Sequence, residues 1–255
     1  MSKVHLLLRK EEIDESTLAN NKIAVVFDVL LATSTITAAL SFGAKTVIPV
    51  FSGLEAQQVS RLFPSGSYEL AGEYEGKTID GFHSPAPLSL KEMIARKTLI
   101  LSTTNGTVAI RKAMTASKLY IGSLLNGQAL AEYIRRYHQT ETIVAVCAGS
   151  SGRFCLEDFY GAGYFIACLL MNGITVHDLS DSAAAAFFFY KQYSTVDGGR
   201  MILKSSRVGR WLMAHGLEHE IDYISEQGTM SIIPIFQKTK WGGEIDDAAR
   251  RSFSL

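Results

Sequence analysis

The feature that most restricts this fold is an alternation along the first two-thirds of the chain. Apolar runs rich in β-branched residues at 22–30, 45–51, 98–102, 118–125 and 141–148 predict strands. Helix-like segments at 34–42, 54–63, 107–115, 127–137 and 156–171 lie between or after them. Strand and helix in alternation predict an α/β fold: a three-layer α/β/α arrangement whose mixed, largely parallel sheet is covered on both faces. The last third reads as more helical, with one further strand expected at 231–237 (SIIPIFQ) and a charged tail after Trp241 expected to fray.

Two stretches share one plan: VVFDVLLATSTITAALSFGAKTVIPVFSG and LILSTTNGTVAIRKAMTASKLYIGSLLNG. Each gives a strand, a Ser/Thr-rich turn, a helix, a second strand and a polar turn. IVAVCAGSSGRFCLED begins a third unit of that shape, so duplication of a β-α-β-α unit is one reading of the chain. No Pro-, Gly- or Ser-rich linker divides it. Residues 1–255 therefore read as a single unit, with a subdivision into 1–95 and 96–240 and a charged tail at 241–255 as the finer alternative. The longest irregular stretch, 64–92, is of the length that is either functional or built around short extra strands.

Composition narrows the partners. Lys plus Arg equals Asp plus Glu at 25 each, so the chain lacks the basic footprint of a nucleic-acid binder. Three cysteines, at 147, 155 and 168, form neither a metal-ligand spacing nor an even disulfide set, which suits a reducing cytoplasm. The leucine run in MSKVHLLLRKEE is too short for a signal-peptide core, and AGYFIACLLM and AAAAFFFY fall short of a membrane span. A cytoplasmic protein without membrane partners is expected, and a neutral surface with several apolar helices suits a homodimer.

Four turns carry candidate chemistry. FDVLLATST places Asp28 near a strand end, with Thr33, Ser34 and Thr35 entering a helix. STTNGT supplies Thr103, Thr104, Asn105, Gly106 and Thr107. CAGSSGRFCLED supplies Gly149 and Arg153, followed by Glu157 and Asp158. LAGEYEG supplies Glu73 and Glu75. Ligands of parallel α/β sheets bind beyond the carboxyl ends of strands, where helix N-termini offer free N–H groups to an anion. Carboxylates in the same pocket would repel that anion unless a cation stood between, and Mg²⁺ held by one or two carboxylates plus phosphate oxygens fits. Taken singly, each turn has a plainer reading. Ser34 or Thr104 can be a helix cap, Glu157 and Asp158 can favour a helix N-terminus, and Glu75 can be solvated. Asp28 is the exception, because an acid inside VVFDVLLA needs a partner or a metal.

No P-loop and no GxGxxG follows a strand. Cys147 to Arg153 (CAGSSGR) has the Cys-five residues-Arg spacing of cysteine-dependent phosphatases, with Val146 and Phe154 departing from their usual neighbours. His215 and His219 read as a surface pair, and His83 alone is kept as a histidine candidate.

The ordered set DVLLATST, LAGEYEGKTIDGF, STTNGT, GSLLN, CAGSSGRFCLED and LSDSA resembles the 2-phosphosulfolactate phosphatase family over roughly residues 22–237. That resemblance implies a Mg²⁺-dependent phosphohydrolase that converts 2-phosphosulfolactate to sulfolactate and phosphate, as in coenzyme M synthesis. It assigns Asp28, Glu157 and Asp158 to catalysis and Asp28, Glu73 and Asp158 to the metal. The expected anion cradle is Thr33, Ser34, Thr35, Thr103, Thr104, Asn105, Gly106, Thr107, Asn126, Gly149 and Arg153. Two departures stand out: Leu31 where the family usually carries Arg, and a shortened GFHSPAP segment. An Arg clamp on such an anion contributes about 1.5–3 kcal/mol, so its loss calls for another substrate or a compensating Arg153 or Lys77. A cysteine-dependent phosphatase using Cys147 and Arg153, and a lapsed metabolite-binding relative, are the alternatives.

Overall fold

The computed structural model describes residues 3–239 and 242–251. Its strands are β1 (Val4–Leu7), β2 (Lys22–Phe27), β3 (Thr46–Val50), β4 (Tyr68–Tyr74), β5 (Lys77–Thr78), β6 (Thr98–Ser102), β7 (Lys118–Gly122), β8 (Thr142–Cys147), β9 (Pro234–Gln237) and β10 (Glu244–Asp247). They form one sheet in the order β1-β8-β2-β7-β9-β10-β3-β6-β4-β5. Its two parallel blocks, β1-β8-β2-β7 and β3-β6-β4, are spliced by the antiparallel hairpin β9-β10.

The helices are α1 (Glu15–Leu18), α2 (Ala32–Ser41), α3 (Gly53–Ser60), α4 (Gly106–Lys112), α5 (Gly127–Tyr137), α6 (Leu156–Met171), α7 (Asp181–Gln192), α8 (Val196–Ser205), α9 (Arg207–Ala214), α10 (Glu218–Ile224) and α11 (Ala248–Arg251). The period of two along each strand explains how they form two outer layers. Ile23, Val25 and Phe27 of β2 face one core with α5, α6 and α7, whereas Ala24 and Val26 face another with α2 and α4. β8 divides its residues the same way. The predicted three-layer α/β/α fold is therefore present.

The second core holds residues from both parallel blocks: Val26 and Val144 from one, and Val47, Ala71, Leu99 and Leu101 from the other. The sheet curls around this shared layer. As a result Asp28, just after β2, meets Gly106, just after β6, although four strands separate β2 from β6 in the order. Carboxyl ends are also level within each block, since Phe27 pairs with both Cys147 and Gly122, and Ser102 with both Val50 and Gly72.

Two expectations need correction and one is met. The tail does not fray at 244–251, where β10 and α11 form and Ile245 is buried against the second core; Trp241 and 252–255 lie outside the described residues. The irregular stretch 64–92 does contain extra strands, β4 and β5. β1, next to the N-terminus, is absent from the strands that the sequence pattern predicts, and it extends the sheet beside β8.

Candidate active site

The carboxyl ends of β2, β4, β6 and β8 surround a cavity of about 600 Å³. Its lining includes Asp28, Glu73, Glu75, Thr103, Thr104, Asn105, Gly149, Ser150, Ser151, Glu157 and Arg207. The starts of α2, α4, α6 and α9 all border it, through Ala32, Asn105, Glu157 and Arg207. N-terminal helix dipoles thus converge on a site that also holds four carboxylates.

Asp28 is 8% exposed. Burial, then the charges of Glu73 and Glu157, push its carboxyl up to about 7, while Lys10 and the Gly106 N–H pull it back. Its backbone N–H donates to Thr33 Oγ1 at 3.0 Å, and the Thr33 N–H returns to the Asp28 carbonyl at 3.0 Å. Gly106 has to be glycine here: a Cβ would lie 2.3 Å from Asp28 Oδ2 and 2.4 Å from Ala32 Cβ.

Glu73 is held by three donors. The Thr104 N–H donates to Oε1 at 2.6 Å, and the Thr104 hydroxyl and Gly76 N–H donate to Oε2 at 3.0 and 2.7 Å. Asn105 Oδ1 accepts from Lys10 Nζ at 2.9 Å and from the Ser151 N–H at 3.2 Å, tying the β6 turn to the β8 turn. Glu157 is 2% exposed at the start of α6; burial raises its proton affinity, and Ser206 and Arg207 oppose that rise. The STTNGT turn is thus divided in function. Thr103 and Thr107 bond each other reciprocally, each N–H donating to the other's hydroxyl at 3.1 Å; Thr107 is enclosed, whereas Thr103, Thr104 and Asn105 line the cavity.

Several predicted cradle residues do not reach the cavity. Thr33, Ser34 and Thr35 are fully buried, and their hydroxyls serve the backbone: Ser34 donates to the Val29 carbonyl at 2.8 Å and Thr35 to the Pro85 carbonyl at 2.5 Å. Thr107 is likewise enclosed, its hydroxyl donating to the Thr103 carbonyl at 2.9 Å. Asn126 shapes its own turn, accepting from the Ser123 N–H at 2.9 Å and donating to the Ile121 carbonyl at 3.1 Å. Arg153 is exposed and absent from the lining. Asp158 sits behind the wall, 1% exposed, its two oxygens accepting from the Val29 N–H at 2.9 Å and the Gly149 N–H at 3.1 Å. It fastens the β2 turn to the β8 turn and is placed to position the site from behind.

The cysteine alternative fails on geometry. Cys147 is fully buried, lies outside the cavity lining, and burial beside Asp158 pushes its thiol well up, away from the thiolate a nucleophile needs. His83 bonds Glu69 Oε2 at 3.0 Å and does not line the cavity, whereas His215, read as a surface residue, stands on its rim.

The profile of the 2-phosphosulpholactate phosphatase family matches residues 7–239. A probable 2-phosphosulfolactate phosphatase of Clostridium acetobutylicum is 36% identical over 234 residues, 91% of this chain and 96% of that protein. Proteins of the same description from Clostridium perfringens and Caldicellulosiruptor saccharolyticus are 37% identical over 91% of this chain and 40% identical over 78% of it. The chain belongs to the 2-phosphosulpholactate phosphatase family.

For a member of this family, sequence reasoning missed two cations. Lys10 is 7% exposed; besides Asn105 it bonds the Ala148 carbonyl at 3.3 Å, and its charge acts on Asp28. The signal was available, since VHLLLRK is an apolar run ending in charge at the same sheet edge as Asp28 and Gly149. Arg207 was missed because no strand leads to it. Leu31 lines the cavity without charge, and neither Arg153 nor Lys77 lines it, so Arg207 is the lining cation that faces the acids.

Proposed function

We propose that this family member hydrolyses 2-phosphosulfolactate to sulfolactate and inorganic phosphate with Mg²⁺ bound at the Asp28 end of the cavity. The observation that carries the reading is the buried Asp28 carboxyl, lifted by Glu73 and Glu157 yet backed by Lys10 and the Gly106 N–H. Acids whose charges act on one another beside helix N-termini suit a site shared by a divalent cation and a phosphoryl group. Among the described residues no three His, Cys, Asp or Glu side chains form a ready metal cage. Mg²⁺ has no need of one, because substrate oxygens and water complete its shell.

Asp28 and Glu73 are the residues that would hold the ion; both are hard oxygen donors lining the cavity, and Thr104 and Gly76 fix Glu73 in place. When bound, Mg²⁺ neutralises phosphoryl charge. The Thr103 hydroxyl, the Asn105 amide and the Ser151 hydroxyl orient the phosphoryl group, because Thr104 gives both of its donors to Glu73. Glu157, whose burial raises its proton affinity, takes a proton from the attacking water onto its carboxylate. The new P–O bond forms as the bond to the substrate's C2 oxygen breaks, and that alkoxide takes a proton from solvent at the open mouth. Three free cysteines support the reducing cytoplasm as the place of action.

Phosphate release from 2-phosphosulfolactate, measured with Mg²⁺, with EDTA and in Glu157→Gln, tests the reading. Release that needs Mg²⁺ and falls by about 10²–10⁴ in Glu157→Gln is expected. Undiminished release in EDTA would remove the metal, and no release under any condition would remove the hydrolase.

A further inference from the structure

Arg207, Trp211 and His215 stand at four-residue intervals along α9 and its C-terminal cap, which puts them on one face of the helix. All three line the cavity. Trp211 packs on the turn between β4 and β5, where a Cβ on Gly76 would lie 2.9 Å from its indole. The His215 ring stacks on it with centroids 4.0 Å apart, and its Nδ1–H donates to the Trp211 carbonyl at 2.7 Å. α9 therefore presents a stacked aromatic wall with the exposed Arg207 guanidinium at its N-terminal end.

The lining carries four carboxylates, at Asp28, Glu73, Glu75 and Glu157, and Arg207 is its one Arg or Lys among the described residues. Lys10 supports Asn105 from outside the lining. Arg207 makes a single hydrogen bond, Nη2 donating to the Ser150 carbonyl at 3.3 Å, so most of its N–H fork is available to a ligand. Its charge is felt by Glu157 and by Cys155, at the start of α6.

A phosphate ester that also bears strong acid groups brings more negative charge than the phosphoryl-binding end can meet. We infer that Arg207, braced by the Trp211–His215 face of α9, binds the non-reacting acid end of the substrate and sets the preference for a phosphate ester with a second strong anion. This rests on the hydrolytic reading above and names the specificity element of the same cavity. A planar fork suits a sulfonate or carboxylate through paired N–H donors, and Lys cannot reproduce that geometry.

Sulfolactate and inorganic phosphate, titrated separately by calorimetry into the wild type, Arg207→Gln and Arg207→Lys, test the inference. The sulfolactate Kd should rise by about tenfold to a hundredfold in Arg207→Gln and by less in Arg207→Lys, with phosphate Kd changed less than about twofold. With 2-phosphosulfolactate, kcat/KM should fall at least about tenfold further than with glycerol 2-phosphate, which lacks the second acid and shares only the effect of the lost charge on Glu157. Unchanged sulfolactate affinity, absent sulfolactate binding in the wild type, or an equal loss for phosphate would overturn it. Arg207-dependent sulfolactate binding without any phosphate release would sink the hydrolytic reading and leave this inference standing. Release at an unchanged kcat/KM in Arg207→Gln would do the reverse.

Discussion

Replacing Asp28 with Asn should stabilise the metal-free protein while abolishing turnover. Burial, with Glu73 and Glu157 adding to it, moves this carboxyl from 3.8 to about 7. A group whose folded pKa lies above its unfolded value gives stability that is present below the unfolded pKa and lost as pH rises through the folded one. The loss therefore runs between about pH 4 and pH 7, and above that window it corresponds to about 4 kcal/mol. At pH 5 only about 1–2 kcal/mol of it has been incurred. Asn has the same shape without the charge, so Asp28→Asn should gain about 2–4 kcal/mol at pH 8 and about 1 kcal/mol at pH 5. Thermal unfolding in EDTA at both pH values measures this; about 2–4 °C per kcal/mol is expected for a chain of this size. Mg²⁺ should raise the wild-type midpoint at pH 8 and leave the variant unmoved. A variant less stable than wild type at pH 8, or a gain equal at both pH values, would refute the claim that Asp28 carries a costly buried charge.

Gly106→Ala should lower kcat/KM by at least about a hundredfold and cost about 1–3 kcal/mol, because its methyl would collide with Asp28 and Ala32; phosphate-release kinetics beside a denaturant melt would show both. Asp158→Asn leaves one of two buried N–H groups, Val29 or Gly149, without its carboxylate acceptor, at about 1–3 kcal/mol. Activity should fall while calorimetric Mg²⁺ affinity stays within about threefold; a tenfold weaker Kd would make Asp158 a direct ligand after all. Cys147→Ser should keep phosphate release within about threefold, and its loss in a folded variant would restore the thiol mechanism.

The fold was legible where a buried strand announces itself over several residues. The run at 98–102 coincides with β6, and those at 118–125 and 141–148 overshoot β7 and β8 by only a few residues. β5 and β10 escaped because a short strand such as GGEIDD carries charges that read as tail. Its place in the sheet is set by pairing with Phe236, Ile235 and Val47, which no local pattern reveals.

The site was legible by turn but not by atom. Hydroxyls in ATST and STTNGT looked equally free for an anion, yet Ser34, Thr103 and Thr107 close their own turns and Thr35 donates to the distant Pro85 carbonyl, as such side chains do when backbone groups nearby lack partners. The consequence reaches function. With the Ser34, Thr35 and Thr107 hydroxyls and both Thr104 donors committed, the proposed reading leaves the anion to Thr103, Asn105 and the cations, and asks that the charge absent at Leu31 come from another element. In that reading Arg207 is its source, from a helix more than 170 residues away in the sequence. On that reading a substitution that looks disabling along the chain is offset across the cavity, and the balance of lining charges, rather than any one motif position, sets what the pocket can hold.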